Sequence, residues 1–292
     1  MPIQDMKDQV DFEMDVSIHD VYRFCRIREQ IRINRKTFQS DWLKGLDLTE
    51  READVLTNSR MNNIFRDHDK VTQCLWSKVH GMSDDRELWR NLMIGRFINR
   101  IDRIDDVFPL TDNWFEKAGW TEKTPLVNSS AYQLNPGLGK AFGVKRVREV
   151  IPLLDQRVDI TYEALVGSSS IKEAVEKTNT AFGGYSLFVF FQAILDFGMF
   201  RPNVISLSST SIEGQGAHAT LNALDMSLSD VISTANQLWP EHRLIRPEGL
   251  YEFDAENIMC EFRKFMKRQG DGIPQNRRYK RLSNTTLNTF WE

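Results

Sequence analysis

"AFGGYSLFVFFQAILDFGMF", residues 181–200, is the stretch on which the fold turns. After its glycine pair the run is apolar almost all round. It falls short of the roughly 20 residues that span a bilayer, and it contains Gln192 and Asp196. It therefore reads as a buried helix, entered from a preceding helix through a glycine turn. Working outward, residues 145–165 and 169–181 have helical spacing, 201–217 form a polar connection, and 218–238 and 251–268 are further amphipathic helices. Toward the N-terminus, residues 20–38 place Phe24, Ile27, Ile31 and Phe38 on one face. Thr49 with Glu52 three positions later marks a capped short helix over 49–56. Residues 61 to about 80 read as helix, and 85–106 as one long, largely buried helix. Residues 109–145, which include "NPGLGKAFG", read as loop with one short helix at most and are the candidate lid or interdomain crossing. With no repeat, heptad pattern or β-rich region, the expected class is mainly α.

The 292 residues, 41% of them hydrophobic, suffice for a sizeable core. A net charge of −3, from 38 basic against 41 acidic residues, leaves nucleic-acid affinity to local clusters. Cys25, Cys74 and Cys260 lie far apart and form no disulfide framework, and the acidic N-terminus lacks an apolar leader. A reducing cytoplasm and no membrane partner are expected.

Polar side chains crowd "MNNIFRDHDKVTQ", residues 61–73. On a helix, Asn62, Arg66, Asp69 and Gln73 would form one stripe, either a solvated face with an Arg66–Asp69 pair or part of a site. Arg28, Arg32 and Arg35 lie beside the apolar face of the first helix, where they either snorkel or converge on an anion that guanidinium forks can match. Arg96 and Arg100, near Trp89, need carboxylates such as Asp102 and Asp105 or an anionic ligand. The Gly183–Gly184 turn and the "EGQGA" segment, with Gly214 and Gly216 before a helix, are either plain turns or donors of backbone N–H groups to phosphate. No phosphate-binding GxxxxGK[ST] loop, metal-ligand spacing, GxSxG elbow or dinucleotide fingerprint occurs.

Five segments in order carry a resemblance: "REQIRINRK" (28–36), "NIFRDHDKVT" (63–72), "RFINR" (96–100), "GQGAHATLN" (214–222) and "DAENIMCEFRKF" (254–265). Together they look like the phage and fungal α-glutamyl/putrescinyl thymine pyrophosphorylase family of thymine hypermodification, over about residues 20–280. Ile98, Gln215 and the pair Ala219–Thr220 depart from the family's pattern.

The resemblance implies an amino acid:DNA transferase, since the kinase branch of the family carries the phosphate-binding loop that this chain lacks. Its reaction places an amine on 5-(pyrophosphoryloxymethyl)uracil in DNA and releases pyrophosphate. The implied fold resembles the helix-hairpin-helix DNA glycosylases, with two helical lobes around a cleft. An extension (1–19) would precede a catalytic domain (20–280) whose lobes are 20–108 with 200–268, and 109–199, and a basic tail (269–292) would follow. The implied partners are double-stranded DNA carrying modified thymine and an amine co-substrate, in the host cytoplasm if phage-encoded. Asp69, Glu256, Glu261 and Arg66 are the catalytic candidates. Arg28, Arg35, Arg96 and Arg100 are expected on pyrophosphate, with Mg²⁺ as a candidate helper, and Asn63 and Asn99 on the base. Gly183, Gly184, Gly214, Gly216 and Lys264 are expected on the DNA backbone. The alternative is a kinase-associated or glycosylase-like helical DNA-binding protein; for a glycosylase, Asp196 or another carboxylate near the hairpin would be essential. If residues 61–73 form a site, Asn63, Arg66 and Asp69 should face a cleft while Asn62 and Gln73 are exposed; if all five face water, the stretch is a solvated face.

Overall fold

The computed structural model describes residues 16–38, 41–59, 61–120, 124, 144–184 and 187–272. The N-terminal residues 1–15, "NPGLGKAFG", Tyr185 and most of the basic tail lie outside the described residues. In chain order the helices begin with α1 (Ile18–Thr37), α2 (Glu50–Asn58), α3 (Lys70–Val79), α4 (Asp85–Ile98), α5 (Ile101–Val107), α6 (Trp114–Lys117) and α7 (Val144–Gln156). They continue with α8 (Val158–Val166), α9 (Ile171–Phe182), α10 (Leu187–Phe200), α11 (Gln215–Leu224), α12 (Leu228–Leu238), α13 (His242–Ile245) and α14 (Glu252–Asp271). The described residues contain no β-strand, so the class is mainly α as expected.

The helices start where their caps dictate. Thr49 and Glu52 form the expected capping box, and Ser17 with Asp20 and Ser227 with Asp230 repeat the device. Asp84 accepts from the Arg86 and Glu87 amides to begin α4.

Three of the expected helices are interrupted. The single helix expected over 85–106 breaks at Asn99, whose φ of 46° is left-handed, and Arg100 restarts the chain in extended geometry. Asparagine adopts that conformation more readily than most residues. The 145–165 helix divides at Arg157, and the 218–238 helix starts earlier, at Gln215, and divides at Asp225 with φ 51°. Residues 61–73 are not one helix: 61–65 are non-helical, Arg66–His68 make a 3-10 turn, and α3 begins only at Lys70.

The chain divides into two compact units, one of residues 1–64, 213–250 and 254–292, the other of 65–212 with 251–253. Residues 65–108 thus group with 109–212, not with the lobe first expected for them. In the first unit, Phe24 of α1 packs on Phe262 and Phe265 of α14, at ring separations of 5.7 and 4.9 Å. Tyr22 is buried against Trp239, and its hydroxyl donates to the Val231 carbonyl. Of the four apolar residues expected on the inner face of α1, Phe24, Ile27 and Ile31 are buried, while Phe38 ends the helix exposed.

The second unit is built around α10, which is buried on nearly all sides between α4 and α9 as its composition requires. Trp89 meets Phe197 edge-on at 6.1 Å, and Phe182 meets Phe190 at 5.3 Å. At Gly198 the returning chain comes so near that an added Cβ would lie 2.8 Å from the Ile205 side chain and 3.2 Å from its carbonyl oxygen. Gly198→Ala is expected to cost about 1–3 kcal/mol through overpacking. A calorimetric melt should show the transition lowered by several degrees, and an unchanged melt would refute this packing account.

Candidate functional site

In the first unit, side chains hold residues 61–64 in place of helical hydrogen bonds. Arg28 donates from Nη2 to the Met61 and Asn62 carbonyls at 3.2 and 3.0 Å. Asn257 donates to the Asn63 and Ile64 carbonyls, both at 2.9 Å. Glu261 accepts from the Asn62 amide at 2.9 Å and from its side chain at 3.1 Å. Residues from α1 and α14 thereby fix a piece of irregular backbone that would otherwise leave its polar groups unanswered.

Around that strap lie the charged groups singled out in the sequence. Glu261 is fully buried and pairs with Lys264. Burial opposes the charge of Lys264, yet Glu261 holds its ammonium above the ordinary range. Arg28, only 4% exposed, is pulled down to about 10 by burial and by the like charge of Arg35, against the pull of Glu261. Its Nε is buried without a hydrogen-bond partner. Arg35 itself is exposed, its guanidinium 4.4 Å over the Trp42 ring.

Glu256 is the chemically distinctive member. Burial pushes its carboxyl up to about 7, although the Gly214 amide donates to it and Lys264 lies near enough to favour the anion. Gly214 is glycine for a visible reason: a Cβ there would stand 2.6 Å from Glu256 Oε1. At Gly216 a Cβ would come within 2.9 Å of Cys260 Sγ. The two glycines thus bring the start of α11 onto α14, and the Gly214 amide is directed to Glu256 instead of a DNA phosphate.

The second unit gathers a separate network on Asp196 of α10, which is fully buried. Arg66 reaches its Oδ1 at 3.2 Å from Nε and 2.8 Å from Nη2, Arg96 at 2.9 Å from Nη2, and Trp76 at 2.9 Å from Nε1. Arg96 Nε also bonds Oδ2. Burial alone would raise this carboxyl, but the two guanidinium groups hold it below the usual carboxylate range. Arg96 also donates to Thr72 Oγ1 at 2.7 Å, and Thr72 bonds Asp69 Oδ1 through its hydroxyl at 3.1 Å and its amide at 2.9 Å. Asp69 is therefore the N-cap of α3, and the pairing considered between Arg66 and Asp69 is replaced by pairing to Asp196.

The remaining candidates have local roles. Arg100 pairs with Asp102 through Nε at 3.0 Å and Nη2 at 2.7 Å. Asn99 ends α4, and its buried Oδ1 has no partner. Gly183 and Gly184, with φ of 111° and 84°, close α9 by donating both amides to the Asn179 carbonyl, so the hairpin spends these donors on itself. Asn62 and Gln73 are exposed and Asn63, Arg66 and Asp69 half-buried, and it is Asn62 that engages Glu261.

The predicted residues thus fall into two groups. Arg28, Arg35, Asn63, Gly214, Gly216, Glu256, Glu261 and Lys264 belong to the first unit. Arg66, Asp69, Arg96, Asn99, Arg100, Gly183 and Gly184 belong to the second. Asn257 and Thr72, which sequence reasoning passed over, both lie inside the quoted motifs. Asp196 was legible as the sole acid in 185–200, a natural answer to the arginines of α4. Among the described residues no three His, Cys, Asp or Glu side chains gather to cage a metal ion. No described helix is long and apolar enough to cross a membrane. The chain matches no family model, no curated protein and no solved structure.

Two outcomes follow from these networks. Asp196→Asn leaves Arg66 and Arg96 facing a neutral amide, and denaturant unfolding should register a loss of about 3–5 kcal/mol; a loss under about 1 kcal/mol would refute the clamp. For Glu256 the folded carboxyl titrates above its unfolded value, so the native state holds the proton longer and loses stability as pH rises from the usual glutamate range to about 7. Glu256→Gln should remove that decline, on the order of 3 kcal/mol. Parallel pH–stability curves for both proteins would contradict it.

Proposed function

We propose that the chain is an amino acid:DNA transferase that joins an amine to 5-(pyrophosphoryloxymethyl)uracil in DNA. The amine nitrogen attacks the exocyclic methylene carbon, the carbon–oxygen bond to pyrophosphate breaks, and pyrophosphate leaves with the bonding pair. An ammonium donor must first lose a proton, and Glu256 accepts it. A carboxyl near pH 7 suits that duty, because it is ionised often enough to act and basic enough to compete for the proton.

The observation that carries this reading is Glu256, pushed up to about 7 and held by the Gly214 amide in the same unit as Arg28, Glu261 and Lys264. Glu261 is occupied by Asn62 and Lys264, which leaves Glu256 as the proton acceptor. Arg28, with a buried and unpartnered Nε, and Lys264 supply positive charge for pyrophosphate. Asn63, in that same unit, is the base-reading candidate. DNA carrying modified thymine and an amine are the proposed partners, in a reducing cytoplasm where the three cysteines stay free, as they are in the fold. The glycosylase-like alternative draws no support from Asp196, because Arg66, Arg96 and Trp76 occupy its carboxylate.

The test is to incubate the protein with DNA containing 5-(pyrophosphoryloxymethyl)uracil and an amine pool, then digest to nucleosides for mass spectrometry. Amine adducts and free pyrophosphate should form at a rate that rises with pH through about 7. Glu256→Gln should slow them by about 100-fold or more. An unchanged nucleoside profile, or abasic sites in place of adducts, would overturn the assignment.

A further inference from the structure

The far end of α1 carries exposed apolar side chains among cations. Asn34, only 2% exposed, donates to the Trp42 and Lys44 carbonyls at 3.0 and 3.1 Å and so pins the turn after α1 back against the helix. Gly45, with φ 76°, completes that turn. Arg35 stacks on Trp42 at 4.4 Å, and Lys44 stands 5.7 Å over the Phe38 ring. Ile33 and Phe38 are each 45% exposed.

The charge here is one-sided. Arg35, Lys36 and Lys44 are exposed, against exposed Asp41, while the neighbouring Glu29 is buried and answered by Arg32 at 2.7 Å. Cations in the last turn of a helix complement its dipole, which accounts for Arg35 and Lys36. It does not account for Lys44, which follows the helix, nor for two large apolar side chains left in water beside three cations.

We propose that this end of α1, with Phe38 and Ile33 framed by Arg35, Lys36 and Lys44, is a docking surface for unpaired nucleotides of a DNA strand. The exposed Phe38 ring offers a stacking face that every base can use, Ile33 adds apolar contact, and the cations track the neighbouring phosphates. Pinning by Asn34 presets the surface, so little ordering is required on binding. The inference rests on the proposed function only in naming DNA as the nucleic acid; the polyanion and its bases are specified by the surface itself.

The experiment is fluorescence anisotropy of the full chain with an unmodified, labelled oligothymidylate over a salt series. The wild type should bind, and more weakly as salt rises. Lys36→Gln with Lys44→Gln should weaken binding about tenfold and flatten the slope of log K against log salt by about 1.4, two phosphate contacts at about 0.7 each for a single strand. Phe38→Ala should weaken it about tenfold with the slope unchanged. All these side chains are exposed, so melting curves should stay at the wild-type position, and Phe38→Tyr, which keeps the ring, should restore binding. Wild-type affinity in all variants would overturn the proposal. Loss in the lysine variant alone, with heparin binding as well as DNA, would reduce the surface to a general polyanion or acidic-protein site and overturn the stacking claim. Because the probe carries no pyrophosphate, a negative result in the transferase assay leaves this outcome independent, and a positive transferase assay does not rescue it.

Discussion

The second unit depends on one buried carboxylate. Asp196 sits in the middle of its most apolar helix, and a lone charge there would be untenable. Arg66, Arg96 and Trp76 converge on it, and in doing so they tie the 3-10 turn, α3 and α4 to α10. Desolvating such a cluster returns little net stability compared with a well-packed apolar core. What it fixes is placement: Arg96 also reaches Thr72, Thr72 reaches Asp69, and Asp69 starts α3. A chain of charge-assisted bonds therefore determines where the polar segment 66–72 turns into helix, a point that apolar packing alone would leave loosely specified.

Local signals decided which parts of the fold were legible in the sequence. Helices announced by an apolar run or a capping residue were found, including Thr49–Glu52 at the head of α2 and the largely apolar α10. The interruptions were not, because Asn99, Arg157 and Asp225 carry no turn chemistry as strong as glycine or proline. Residues 61–73 misled for a different reason. Asn62, Arg66, Asp69 and Gln73 satisfy helical arithmetic, but the apolar period beneath them holds only from Val71 onward, within α3. Before it the backbone is satisfied by side chains 33 to 199 residues distant, from Arg28, Asn257 and Glu261, and no local pattern encodes such partners.

The candidate site was legible as a set of residues but not as a set of roles. Spacing put Arg28 at the margin of an apolar face, where snorkelling was the ordinary outcome; it is instead buried, because the 61–64 carbonyls give its guanidinium somewhere to donate. Gly214 and Gly216 looked like a phosphate cradle, and their lack of side chains proves to serve helix approach. Asp69 looked catalytic and is a cap. In each case the residue type was chosen for a real constraint, and the identity of its partner decided which one.

Glu256 shows how these constraints combine into chemistry. Its carboxylate receives an amide at the head of α11, an arrangement that by itself favours the anion and would keep the group acidic. Burial works in the opposite direction and prevails, leaving the proton affinity near neutrality. Close approach is what couples the two effects: without glycine at 214 a Cβ would stand 2.6 Å from Glu256 Oε1, and the helix start and its amide would be held off. The amide then aims the carboxyl while burial sets its basicity. A group so poised can exchange a proton without leaving its place, the property that deprotonation of an ammonium donor requires.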